Sequence, residues 1–79
     1  MQTEKTVHIT GYRQVLRALD SGSLLSAEIA RDADPPIQEK LLTALHEANV
    51  PYKFVDSKVE LGKLCGINVP AAVAGVKKA

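Results

Sequence analysis

The chain has 79 residues, 46% hydrophobic and 24% charged, with one cysteine and a formal net charge of +1. This suits one domain spanning residues 1–79 with a modest core, and no apolar run reaches the roughly 18 residues that cross a bilayer. A single cysteine excludes an internal disulfide and points to a reducing cytoplasm, while the opening MQTEKTVHIT has no apolar leader segment.

TVHITG (6–11) reads as a short strand ending in a glycine. YRQVLRALDSG (12–22) follows as a helix, with Tyr12, Val15, Leu16 and Leu19 on one side and Gly22 as its stop. LLSAEIARD (24–32) is a second strand, apolar at Leu25, Ala27 and Ile29. DADPPIQEKLLTALHEANV (32–50) opens with Asp34 as N-cap and Pro35 at the first helical position. Its buried stripe is Ile37, Leu41, Leu45 and Ala48. PYKFVD (51–56) is a third strand, and SKVELGKLCG (57–66) carries the capping-box pair Ser57 and Glu60 of a short third helix. AAVAGV (71–76) is small and apolar on both faces, so Val73 and Val76 belong to a covered central strand. The order β-α-β-α-β-α-β predicts an α/β fold with helices on both sides of the sheet.

Catalytic chemistry is thin. His8 and His46 have no second ligand at metal spacing, so no metal site is expected. Cys65 falls beside Val59, Leu61 and Leu64 on the third helix and reads as buried packing, with no general base to activate it. Gly62 and Gly66 make neither a GxxxxGK[ST] nor a GxGxxG phosphate loop, so no cofactor is implied. An enzyme is not the expectation.

Two stretches ask for more than packing. Arg13, Gln14 and Arg17 share one face of the first helix, at the end where backbone N–H groups favour a phosphate. A merely solvated helix face is the simpler alternative. Ile67, Asn68, Val69 and Pro70 join a helix to a strand, where turn chemistry prefers polar residues. They form either a contact surface or a loop folded onto its own core. The +1 net charge makes no general case for nucleic acid, so any such site depends on where the cations sit.

ITGYRQVLRALDSG, IARDADP and VPYKFVDSKVELGKLCGINVPAAVAGV resemble the kink-turn-binding ribosomal proteins of the L-seven-Ae family, most closely its short bacterial, YbxF-like branch. The resemblance runs over residues 7–76, and its most specific part is SK-x-x-LG-x-x-x-G followed by a valine-proline-alanine loop. It implies a three-layer α/β/α sandwich with a mixed four-stranded sheet. It also implies a partner: a structured RNA with a kink-turn, a sharp bend built on tandem sheared G·A pairs beside a short bulge, in the ribosome or a riboswitch.

Carried onto this chain, the guanine-reading segment falls on Gly11, Arg13, Gln14 and Arg17. The phosphate-approaching lysine is Lys58, and the loop against the bulged nucleotides is Ile67, Asn68, Val69, Pro70 and Ala71. Archaeal relatives carry Asn-Glu where this chain has Arg13-Gln14, and relatives prefer valine at Glu28. A protein-interaction module that has lost RNA binding is the alternative within the superfamily. Arg13, Gln14, Arg17 and Lys58 favour the RNA-binding monomer over it.

Overall fold

Alternating apolar runs and amphipathic segments give seven elements in a computed structural model that describes residues 6–78. Residues 1–5, half of the stretch read as lacking a leader, and residue 79 lie outside the described residues. The strands are β1 (Thr6–Thr10), β2 (Leu24–Ala30), β3 (Tyr52–Val55) and β4 (Val73–Lys78). The helices are α1 (Tyr12–Asp20), α2 (Pro35–Ala48) and α3 (Lys58–Leu64).

The strands form one mixed sheet in the order β1-β4-β2-β3. β4 runs antiparallel to both β1 and β2, whereas β3 lies parallel to β2 and needs α2 as its crossover. Strand β4 is therefore interior, which explains why it carries no large polar residue until Lys77. Val73, Ala74 and Gly75 are buried and Val76 is half-buried.

Helices α1 and α2 cover one face. Val15 and Ala18 of α1 and Leu41 and Leu45 of α2 meet Ile29 and Val73 from the sheet. Helix α3 covers the other face through Leu61, against Ala30, Val55, Ala71 and Ala74. The alanines let this seven-residue helix sit close to the sheet. The expected three-layer α/β/α sandwich with a mixed four-stranded sheet is the fold.

Several details differ from the sequence expectation. In β2 the register shifts between Leu24 and Ser26, so Leu24 joins Ala27 and Ile29 in the core while Leu25 is half-buried. Ala48 is exposed, because α2 is ending there and Asn49 turns left-handed at φ 57°. Asp34 occupies the N-cap position without a side-chain cap bond. The turn before α2 is held instead by Gln38, whose Nε2 donates to the carbonyl oxygens of Ala30, Arg31 and Ala33 at 3.0–3.2 Å. The last strand begins at Val73, which leaves Ala71 and Ala72 in the preceding loop.

The third helix is the clearest correction. Val59 and Leu64 do not cluster with Leu61; they are 55% and 61% exposed, while Leu61 is fully buried. Val59 lies two residues from Leu61, about 200° round the helix, so only one of the two can face the sheet. Leu61→Ala is expected to cost about 2–5 kcal/mol, whereas Val59→Ala should stay within about 0.5 kcal/mol of the parent. Denaturant unfolding of the two variants measures the contrast.

Candidate nucleic-acid interface

Gly11 turns the chain from β1 into α1 at φ 99° and ψ 145°, a conformation that side chains with a Cβ rarely adopt. From there its N–H donates to the Val73 carbonyl oxygen at 2.9 Å, fixing the start of α1 beside the head of β4. No side chain caps α1 and no acid lies in its first turn. The partial positive charge of the helix start is thus left for an outside anion. Arg13 and Gln14 stand exposed in this turn. Arg17 is exposed as well, but in the last turn, about 6 Å further along the axis.

The segment from α3 to β4 is tied down at both ends. Ile67 N–H donates to the Gly62 carbonyl oxygen (3.0 Å), and Ala71 N–H donates to that of Lys58 (3.0 Å). Between these bonds the backbone passes directly over Gly62. A Cβ on that residue would collide with the Val69 carbonyl oxygen and lie 3.4 Å from the Pro70 Cα. Asn68, Val69 and Pro70 are left exposed, Val69 at 61%. Ile67 is half-buried against the second core. Ala71 is buried in the cluster around Leu61, so its methyl group anchors the loop and is not available for contact.

Lys58 opens α3 just after Ser57, whose Oγ accepts the Glu60 N–H at 3.1 Å. The Lys58 N–H donates to Asp32 Oδ1 at 2.8 Å, which joins the turn after β2 to the same corner. Gly11, Lys58 and the 67–70 loop therefore meet at the end of the sheet where β1, β2 and β3 finish and β4 begins. Among the described residues, Arg13, Arg17, Lys58 and Lys63 enter no ion pair.

Two residues that sequence reasoning does not place in the site belong beside this surface. Val59 and Lys63 line a cleft of about 300 Å³ together with Ile67, Asn68, Val69 and Pro70. Their spacing of four, opposite Leu61 on the helix, was the available signal.

The histidines and the cysteine stay apart from it chemically. His8 is exposed, and His46 Nε2 lies 3.2 Å from the Tyr52 hydroxyl. Burial, and then the Glu28 carboxylate, push the Cys65 thiol above its ordinary value, the reverse of an activated nucleophile. Glu28 itself pairs with Lys53 across β2 and β3 at 3.5 Å. No group of three metal-ligating side chains occurs among the described residues.

A basic helix start, a lysine at a second helix start and a clamped apolar loop define a small α/β/α binding domain. The chain belongs to the ribosomal protein L7Ae/L30e/S12e/Gadd45 family, which it matches over residues 1–79. It is 46% identical over 76 residues to an RNA-binding protein of Geobacillus sp. (strain WCH70), covering 96% of this chain and 90% of that one. It is also 46% identical over 68 residues to the RNA-binding protein YbxF of Geobacillus stearothermophilus, covering 86% and 83%. The Giardia lamblia 15.5kD RNA binding protein has the same fold, with a TM-score of 0.83 and 36% identity over 91% of this chain and 61% of that one. The chain falls in the short bacterial, YbxF-like branch of the family, whose members are binding proteins and not enzymes.

Gly62→Ala should lower stability by about 1–3 kcal/mol, because the atoms in the way are backbone and cannot swing aside. Thermal unfolding reads the loss, expected at about 4–8 °C per kcal/mol for a domain of this size.

Proposed function

We propose that this protein binds RNA kink-turns, acting as a monomer on ribosomal or riboswitch RNA in the cytoplasm. The observation that carries the proposal is the convergence of Gly11, Lys58 and the 67–70 loop, tied together by the Gly11–Val73 and Ala71–Lys58 hydrogen bonds. Family membership and the RNA-binding relatives support RNA as the ligand class.

The division of labour follows from chemistry. The absent side chain of Gly11 lets a base edge come close to the backbone at the start of α1. The Gln14 amide both donates and accepts, so it suits the edge of a guanine in a sheared G·A pair. Arg13, beside it, supplies a positive charge at the position where relatives with Asn-Glu have a neutral asparagine. Arg17, a turn further on, and Lys58, across the corner, suit phosphates on either side of the bend. Val69 and Pro70 present apolar surface to unpaired bases, the part of an RNA that proteins read most readily.

The test is affinity against salt for a kink-turn RNA and for the same RNA with its G·A pairs changed to Watson–Crick pairs. The parent protein should prefer the first RNA strongly. Arg17→Ala or Lys58→Ala should weaken every kink-turn alike and make the log–log salt slope shallower by roughly 0.7–0.9 each. Gln14→Ala should leave the slope unchanged and remove about 1–3 kcal/mol of preference for the G·A pairs. Equal affinity of the parent for both RNAs would refute the proposal. A solvated helix face predicts no effect from any of these three changes.

A further inference from the structure

The sheet has two edge strands, β1 and β3. The β3 edge is blunted by features that keep strands from pairing: it has four residues, with Pro51 before them and Lys53 among them. The five residues of β1, Thr6–Thr10, include no proline, lysine, arginine or acid. Gly11 N–H donates to the Val73 carbonyl oxygen, and the register continues through Ile9 with Gly75 and Val7 with Lys77. Alternation along an antiparallel ladder then turns the backbone groups of Val7 and Ile9 toward β4. Those of Thr6, His8 and Thr10 point away from the sheet, and among the described residues no other element bonds to them.

We infer that, in the free protein, this edge pairs with β1 of a second copy, antiparallel about a two-fold axis at His8. The strand is self-complementary about that point. Thr6 meets Thr10 of the second copy, His8 meets His8, and Val7 meets Ile9, so each outward N–H and C=O gains a partner. Threonine pairs and pairs of β-branched apolar residues suit neighbouring strands. Val7, 40% exposed in the single chain, is covered by Ile9 on the face that carries α1 and α2. A polyanion would find no cation on this strand, which selects a second copy over nucleic acid. So small a contact gives a weak, reversible dimer. Thr6 of the second copy lies beside Thr10, next to Gly11, so the dimer and an RNA at the start of α1 exclude each other. That exclusion rests on the RNA-binding reading above, and the pairing does not.

The test is sedimentation equilibrium together with amide hydrogen exchange, over roughly 10 µM to 1 mM, the range of weak contacts. The mass should rise toward two chains, and the amides of Thr6, His8 and Thr10 should gain protection with it. Those of Val7 and Ile9, bonded within the sheet, should be protected throughout. In a mixture of labelled and unlabelled chains, an intermolecular Hα–Hα contact between Val7 and Ile9 reads the register. His8→Pro removes the central outward N–H, and His8→Lys sets two ammonium groups on the axis. Each should return the mass to one chain. Phe54→Lys, on the β3 edge, should leave the dimer intact.

A mass of one chain over the whole range, or a dimer that survives both His8 variants, overturns the pairing. Kink-turn RNA should yield complexes of one chain per RNA with the β1 amides unprotected, and a β1-paired dimer bound to that RNA would overturn the exclusion. Neither failure touches the preference for G·A pairs, on which the kink-turn reading stands.

Discussion

The close approach of the Val69 backbone to Gly62 is the constraint on which the rest of the candidate site depends. A loop with Ile67, Val69 and Pro70 would otherwise bury its apolar side chains or sample many conformations, each at an entropic cost on binding. Because Gly62 has no Cβ, the loop backbone lies against α3, and the side chain of Val69 is left exposed. The bonds from Ile67 to Gly62 and from Ala71 to Lys58 then fix the loop at both ends. The Gly11–Val73 bond extends the same order to the start of α1. Rigidity at this corner arises from backbone contacts, which leaves the side chains free for a ligand.

Charge placement follows a similar logic. A net charge of +1 gives little long-range attraction to a polyanion. Within the described residues, the ion pairs are Arg31 with Asp56 and Lys53 with Glu28, both around β3. Exposed pairs of this kind contribute little to stability. Their consequence here is one of arrangement, since Arg13, Arg17, Lys58 and Lys63 are left unneutralised on α1 and α3. A near-neutral protein thereby keeps a locally cationic surface.

Much of this was legible in the chain. The strand and helix order, the glycine at the head of α1, the Ser57 cap and the covered last strand all follow from local patterns with a direct physical cause. What was hidden depends on tertiary context. The β2 register shift exchanges Leu24 for Leu25 in the core, and no alternation rule foresees a bulge. Apolar composition groups Val59 with Leu61, although helical geometry places them on opposite sides. The resemblance puts Ala71 with the contact loop, whereas its small side chain is buried in the second core as the chain returns toward β4. The signal for Gly62 was present as a glycine inside a helix, a costly residue there without a close neighbour to explain it. Its partner across the fold was not readable from the chain.

The most direct measurement is a map of backbone amide chemical shifts on adding a kink-turn RNA to the isotope-labelled protein. Binding at the corner joined by Gly11, Lys58 and the 67–70 loop predicts large changes at Gly11 to Arg17, at Lys58 and from Ile67 to Ala71. The amides of α2 and of β3 should be nearly unmoved. Changes concentrated on α2 or along the β3 edge, with the Gly11 and Val69 amides undisturbed, would place the RNA elsewhere and contradict this site.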